Sequence, residues 1–123
     1  MQSALAEGQN HIRIEMHKDN YGFQETITIR PVIVNLTDGL LTYTMAYVGQ
    51  VFNTDNTLVW EKEMVAYGKI TIPANAERSL DQFFWDQKDK TGKQVPPGRY
   101  RIFIRLFEYR FKDVNGQKWI TIR

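Results

Sequence analysis

Residues 83–100, FFWDQKDKTGKQVPPGRY, constrain the fold more tightly than any other stretch of the chain. Three consecutive aromatics give way to a polar segment holding Asp86, Asp89 and Gly92, then to Val95-Pro96-Pro97-Gly98 and a long alternating run. Proline has no backbone N–H and a φ fixed at about −65°, so Pro96-Pro97 cannot lie in a central ladder. Gly98 supplies a permissive turn residue just before the next strand. The stretch therefore predicts strand, long loop, strand. Its aromatic start and Tyr100 are expected in a core, and the polar residues between Gln87 and Gln94 are expected to face water.

Alternation with a period of two, the mark of half-buried strands, runs through most of the remaining sequence. Ile12, Ile14 and Met16 alternate with His11, Arg13, Glu15 and His17, and a turn over Asp19-Asn20-Tyr21-Gly22 follows. A second strand is predicted from Phe23, with Pro31 as a bulge or an unpaired edge position before Val32-Ile33-Val34 resumes. After the turn at Thr37-Asp38-Gly39, both faces of residues 40–48 are fairly apolar, which suggests a central strand. Asn53-Thr54-Asp55-Asn56 reads as a tight turn. Further strands are predicted at 58–60, at 64–72 with Gly68 as a bulge or close approach, and at 80–85, with a loop at 73–77.

Beyond the 86–97 loop, Tyr100, Ile102, Ile104 and Leu106 alternate with Arg101, Phe103, Arg105 and Phe107. Asn115-Gly116 has the composition of a type I′ hairpin turn, which needs φ > 0 at both central positions, and residues 119–122 read as the return strand. Residues 1–10 show no period of two and read as a flexible tail. Residues 11–123 read as a single all-β domain, an antiparallel sandwich of about 7–9 strands.

Composition narrows the function classes. With 42% hydrophobic and 13% aromatic residues the chain is not disordered. A formal net charge of +2 is too small to indicate nucleic acid or an anionic membrane by itself. The absence of cysteine removes disulfides, thiolate catalysis and cysteine-based metal sites. No run approaches the roughly 18 apolar residues of a membrane helix, and residues 1–10 hold no apolar stretch of signal-peptide length, so a cytoplasmic location is expected.

The spacing of Asn35, Asp55, Val59-Trp60, Ile72-Pro73-Ala74, Glu77, Trp85-Asp86, Gly92 and Val95-Pro96-Pro97-Gly98-Arg99-Tyr100 resembles the BsuPI family of bacterial intracellular proteinase inhibitors. The resemblance covers roughly residues 23–107. Similar W-D…G…V-P patterns occur in other immunoglobulin-like modules, including flagellar-hook capping proteins. The chain departs from the family at Ala74-Asn75-Ala76-Glu77, where members usually carry Pro-Gly-Glu. What the resemblance implies is an immunoglobulin-like β-sandwich that inhibits a subtilisin-type serine proteinase inside the cell. The signature residues are those a sandwich corner requires, so no inhibitory residue is carried over.

Candidate chemistry was weighed against plainer roles. His11 and His17 are the only histidines, lie about 20 Å apart on one predicted strand, and cannot share a metal. Ser3 and Ser79 lack the context of a nucleophile elbow. Asp86, Asp89 and Thr91-Gly92 could supply oxygens to calcium, but Asp and Gly in such a loop are commonly turn formers, and Lys88 and Lys90 oppose a cation. Arg99, Arg101 and Arg105 interleaved with Phe103 and Phe107 resemble a stacking surface for single-stranded nucleic acid; Glu108, Asp113 and the small net charge argue instead for arginine stems packed across strands. Among Tyr43, Tyr47, Phe52, Tyr67, Phe83, Phe84, Tyr109 and Phe111, some are expected to be exposed as a partner surface.

The expectation is a non-enzymatic protein-binding domain without cofactor, metal, nucleic acid or membrane partner. Its leading form is a BsuPI-type inhibitor that presents a loop or sheet edge to a serine proteinase. The candidate loop is Gln87, Lys88, Asp89, Lys90, Thr91, Gly92, Lys93 and Gln94, with Asn53, Thr54, Asp55, Asn56 and Thr57 as the second. The alternative is an assembly module that pairs with itself or a larger complex through an edge strand over residues 11–18 and the tail before it.

Overall fold

Residues 10–44, 46–64, 68–107 and 114–123 are described by the computed structural model. They form eleven strands and no helix: β1 (His11–Glu15), β2 (Asn20–Tyr21), β3 (Ile27–Val34), β4 (Leu41–Thr44), β5 (Tyr47–Phe52), β6 (Leu58–Met64), β7 (Lys69–Ile72), β8 (Glu77–Ser79), β9 (Phe83–Trp85), β10 (Gly98–Leu106) and β11 (Asn115–Ile122). The excess over the expected count comes from short pieces such as β2, β8 and β9.

One sheet has the order β1-β3-β8, with β9 also paired to β3; the second runs β2-β11-β10-β5-β6; β4 and β7 form a two-stranded sheet. All pairings are antiparallel except the short β2–β11 contact. The architecture is the expected all-β sandwich. The period of two carries through: Ile12 and Ile14 of β1 point into the core, as do Tyr100, Ile102, Ile104 and Leu106 of β10.

An aromatic cluster fills one end of the core. Trp85 is fully buried, edge-on to Tyr100 with centroids 5.7 Å apart, while Trp60 stacks on Phe83 at 5.9 Å. The Tyr100 hydroxyl donates to Pro96 O at 2.6 Å, the tyrosine-corner arrangement found at the edge of immunoglobulin-type sandwiches. Asn35, also fully buried, joins the end of β3 to β7: its amide nitrogen faces the carbonyl oxygens of Gly39, Ile72 and Pro73, each at 3.0 Å.

Several local expectations give way to tertiary structure. The strand predicted from Phe23 starts only at Ile27, because Gly22 to Glu25 turns, with Gln24 at φ 69° and Phe23 left exposed. Pro31 makes neither bulge nor edge. It sits inside β3, opposite Ile14. Its carbonyl accepts from Leu80 N, so its missing donor faces the break between β8 and β9, where no strand asks for it. Leu41–Thr44 and Tyr47–Phe52 are separate strands, β4 and β5, in different sheets, and Gly49 lies within β5, where a Cβ would meet the Phe83 ring at 2.6 Å. The predicted strand at 64–72 begins, within the described residues, at Lys69, residues 65–67 lying outside them.

Asn115-Gly116 is not a hairpin turn. Both residues lie in the β10–β11 ladder, opposite Arg105 and Ile104. Glycine is required there for another reason: a Cβ would lie 1.8 Å from Ile12 O, a main-chain atom of the other sheet. Gly116→Ala is therefore expected to cost about 1–3 kcal/mol by overpacking, read as a lower urea midpoint with an unchanged slope.

Candidate functional site

The two candidate loops lie side by side at one end of the sandwich. The first leaves β9 through Asp86, whose Oδ1 accepts from Lys88 N at 3.1 Å, and returns through an isolated bridge between Lys88 and Gln94. At its tip Asp89 is the organising residue. Its Oδ1 accepts from Thr91 N at 2.8 Å, Thr91 Oγ1 at 2.6 Å and Lys93 N at 3.1 Å, while its own N–H donates to Lys93 O at 2.8 Å. Short side chains of this kind bond their own backbone a few residues on, which is why Asp recurs in turns. The Thr91 hydroxyl, followed by the Lys93 N–H, holds the Asp89 carboxyl below the usual carboxylate range. Gly92, at φ 87°, closes the turn.

The second loop is built the same way around Asn53, whose Oδ1 accepts from Asp55 N and Thr57 N, each at 3.0 Å. Asn56 occupies the left-handed region at φ 63°, which Asn tolerates better than most residues. Lys90 N donates to Val59 O at 3.0 Å, which ties the first loop to the start of β6, just beyond the second loop. Between them is a cleft of about 300 Å³ bordered by Asn53, Asp55, Val59, Asp89, Pro97 and Arg99.

Lys88, Lys90, Thr91, Gly92 and Lys93 are exposed, as are Thr54, Asp55, Asn56 and Thr57; Asp89, Gln94 and Asn53 are half-buried. Gln87 departs from the expectation of a free surface residue. It is fully buried at φ 65°. Its Nε2 donates to Gly22 O and Glu25 O, each at 2.8 Å, and its Oε1 accepts from Gln24 N at 3.0 Å and Gln94 Nε2 at 2.9 Å. An amide can satisfy four partners at once, and Gln87 does so, pinning the loop's root to the turn before β3. No local signal in the sequence marks it, since those carbonyls lie 65 and 62 positions away along the chain.

Asp86 and Asp89 both spend an oxygen on backbone N–H groups of their own loop. Among the described residues no three His, Cys, Asp or Glu side chains group as metal ligands. Of the aromatics singled out, Tyr43, Tyr47 and Phe83 are core residues and Phe84 is exposed; Tyr67, Tyr109 and Phe111 lie outside the described residues, as do Ser3 and most of the N-terminal tail. β1, the candidate for edge pairing, is an edge strand of its sheet: it is bonded to β3 on one side, and its Ile12 carbonyl faces Gly116 of β11 in the other sheet. No described helix is long and apolar enough to cross a membrane.

A larger cleft of about 440 Å³ lies elsewhere, beside Met16, Arg30, Gln82 and Lys118. Its cations are already matched, Arg30 with Glu15 at 2.6 Å and Lys118 with Asp19 at 3.1 Å, so it offers less unspent chemistry than the loop end.

No protein-family model and no curated protein matches the chain. Solved structures do match its fold. A β-glucosidase from Listeria innocua in complex with isofagomine aligns with a TM-score of 0.55 and 12% identity, over 92% of this chain and 16% of that one. The alkylpurine DNA glycosylase AlkC of Pseudomonas fluorescens, bound to DNA containing an abasic site analog, aligns at 0.54 and 12%, over 94% and 31%. The CARDB domain of the PF1109 protein from Pyrococcus furiosus, in complex with di-metal ions, aligns at 0.52 and 14%, over 93% and 87%. The chain thus spans a small part of the first two proteins and most of the third. At these identities the likeness is one of fold: an all-β sandwich that occurs both inside larger enzymes and as a separate domain.

Proposed function

We propose that this domain binds another protein through the paired loops around Asn53 and Asp89, and that a subtilisin-type serine proteinase is the partner to test first. The observation that carries this reading is that each loop is closed by its own Asx hydrogen bonds and the first is anchored to β6, beside the second, by the Lys90–Val59 bond. A loop already held in one conformation loses little entropy on binding, which is how rigid inhibitor loops gain affinity. The proteinase assignment rests on the family resemblance of the W-D…G…V-P-P-G-x-Y stretch, whose Trp, Gly and Tyr hold the corner beneath these loops.

Titrating subtilisin activity with the purified protein tests the proposal. Saturable slowing at micromolar protein is expected, and replacing residues 90–93 with Gly-Ser-Gly-Ser should weaken it at least tenfold with the melting temperature little changed. Full proteinase activity at micromolar protein, with the fold verified by circular dichroism, would remove the proteinase reading.

A further inference from the structure

The solvent face of the larger sheet carries a row of chemistry that neither the core nor the loops use. Directly paired residues of an antiparallel sheet share a face. Arg101 of β10 therefore stands between Trp119 of β11 and Phe52 of β5, with Phe103 two residues along. The opposite face of the same strands supplies the core through Ile102, Ile104 and Ile120, so the outward aromatics are not needed to fill it.

Two of the arginines sit over these rings. The Arg99 guanidinium is 4.7 Å above Trp119; that of Arg101 is 4.4 Å from Phe52 and 5.8 Å from Phe103. Arg101 is fixed from both sides by Asn56 Oδ1 at 2.7 Å and Gln117 Oε1 at 3.2 Å. Arg99 makes no hydrogen bond to a described residue, and Arg105 donates only to Leu106 O. None of the three is paired with a carboxylate among the described residues. The face therefore joins three arginines to aromatic rings, with N–H donors of Arg99 and Arg105 unspent, while Glu61, bonded to Gln50, and Glu63 stand at its β6 edge.

We propose that this face binds single-stranded nucleic acid, with bases stacking on the Trp119–Arg101–Phe103 platform and phosphates held by Arg99 and Arg105. Unstacked bases lie on aromatic rings and on guanidinium planes alike, and arginine supplies the charge for the backbone. Stacking and phosphate contacts read no base edge, so binding is expected to be indifferent to sequence. The arginine stems do pack across strands, as the plainer sequence reading holds; what the structure adds is their seating over aromatic rings and the absence, among the described residues, of a salt bridge to any of the three. This inference stands apart from the loop proposal.

Fluorescence anisotropy with labelled oligothymidylate and oligouridylate, titrated with the full chain at several salt concentrations, tests it. Saturation at micromolar protein is expected, accompanied by quenching of Trp119 fluorescence. Two phosphate contacts predict a slope of log K against log salt of about −1.4, and Arg99→Gln with Arg105→Gln should remove most of it. Trp119→Ala should weaken binding roughly tenfold, with Trp119→Phe restoring most of it. Thermal melting of each variant separates a lost contact from a lost fold. No anisotropy change at 100 micromolar protein in low salt would overturn the proposal. So would binding unaffected by these variants, or capture of heparin without the oligonucleotides.

Discussion

Trp85→Ala is expected to lower the unfolding free energy by about 3–5 kcal/mol, in the range for large aromatic truncations in a packed core. The indole is fully buried and touches two other aromatic rings, Tyr100 edge-on and Trp60 at 6.3 Å. Its Nε1 donates to Lys88 O at 3.0 Å, so truncation opens a cavity and also frees a carbonyl at the root of the loop. Since whole domains are stable by only about 5–15 kcal/mol, the variant is expected to be partly unfolded at 37 °C. Urea unfolding followed by circular dichroism checks this. A loss below about 1 kcal/mol would mean that the cluster closes around the gap and that Trp85 is not the centre of this end of the core. Trp85→Phe separates the two contributions, because it keeps most of the ring volume and loses the Lys88 bond, worth about 1 kcal/mol.

Gln87→Met comes next, at about 3 kcal/mol or more. Methionine keeps the unbranched shape but strands the part-buried Glu25 carbonyl, Gln24 N–H and Gln94 amide, while Gly22 O keeps the Glu25 N–H, and each group left unpaired costs about 1–3 kcal/mol where water cannot reach it. The variant is also expected to expose residues 88–94 to limited proteolysis, because the loop would no longer be tied to the turn before β3. Gln94→Met is the control. Gln94 is half-buried and shares only one of these bonds, so a smaller effect is expected. Equal losses in the two variants would show that Gln87 has no special part in holding the loop.

Features that depend on near neighbours were legible in the sequence. The faces of β1 and β10 follow from a period of two, and the turns at Asn53 and Asp89 follow from short polar side chains that reach their own backbone. What was not legible depends on distant partners. Gln87 is buried because carbonyls 65 and 62 positions away converge on it, and no local pattern encodes that. Asn115-Gly116 has turn chemistry, yet the fold uses the glycine because the Ile12 main chain passes against it. Pro31 reads as an interruption until the break between β8 and β9 shows that no donor is wanted there. The alternation of Arg99, Arg101 and Phe103 was visible, but their juxtaposition with Trp119 and Phe52 required the register of three strands.

The crossing of Gly116 over Ile12 has a kinetic side. β11 completes the ladder with β10, takes β2 as a parallel neighbour and lies against β1, so the first and last described strands meet in one corner. A ribosome delivers β1 roughly a hundred residues before the strand that closes over it. Until β11 emerges, the inward side chains of β1 and the flank of β10 lack their cover. Closing so long a loop is slow relative to forming a local hairpin. The sandwich is therefore expected to assemble only once β11 has emerged, and the window before that is when its unsealed edges are most open to pairing with another chain.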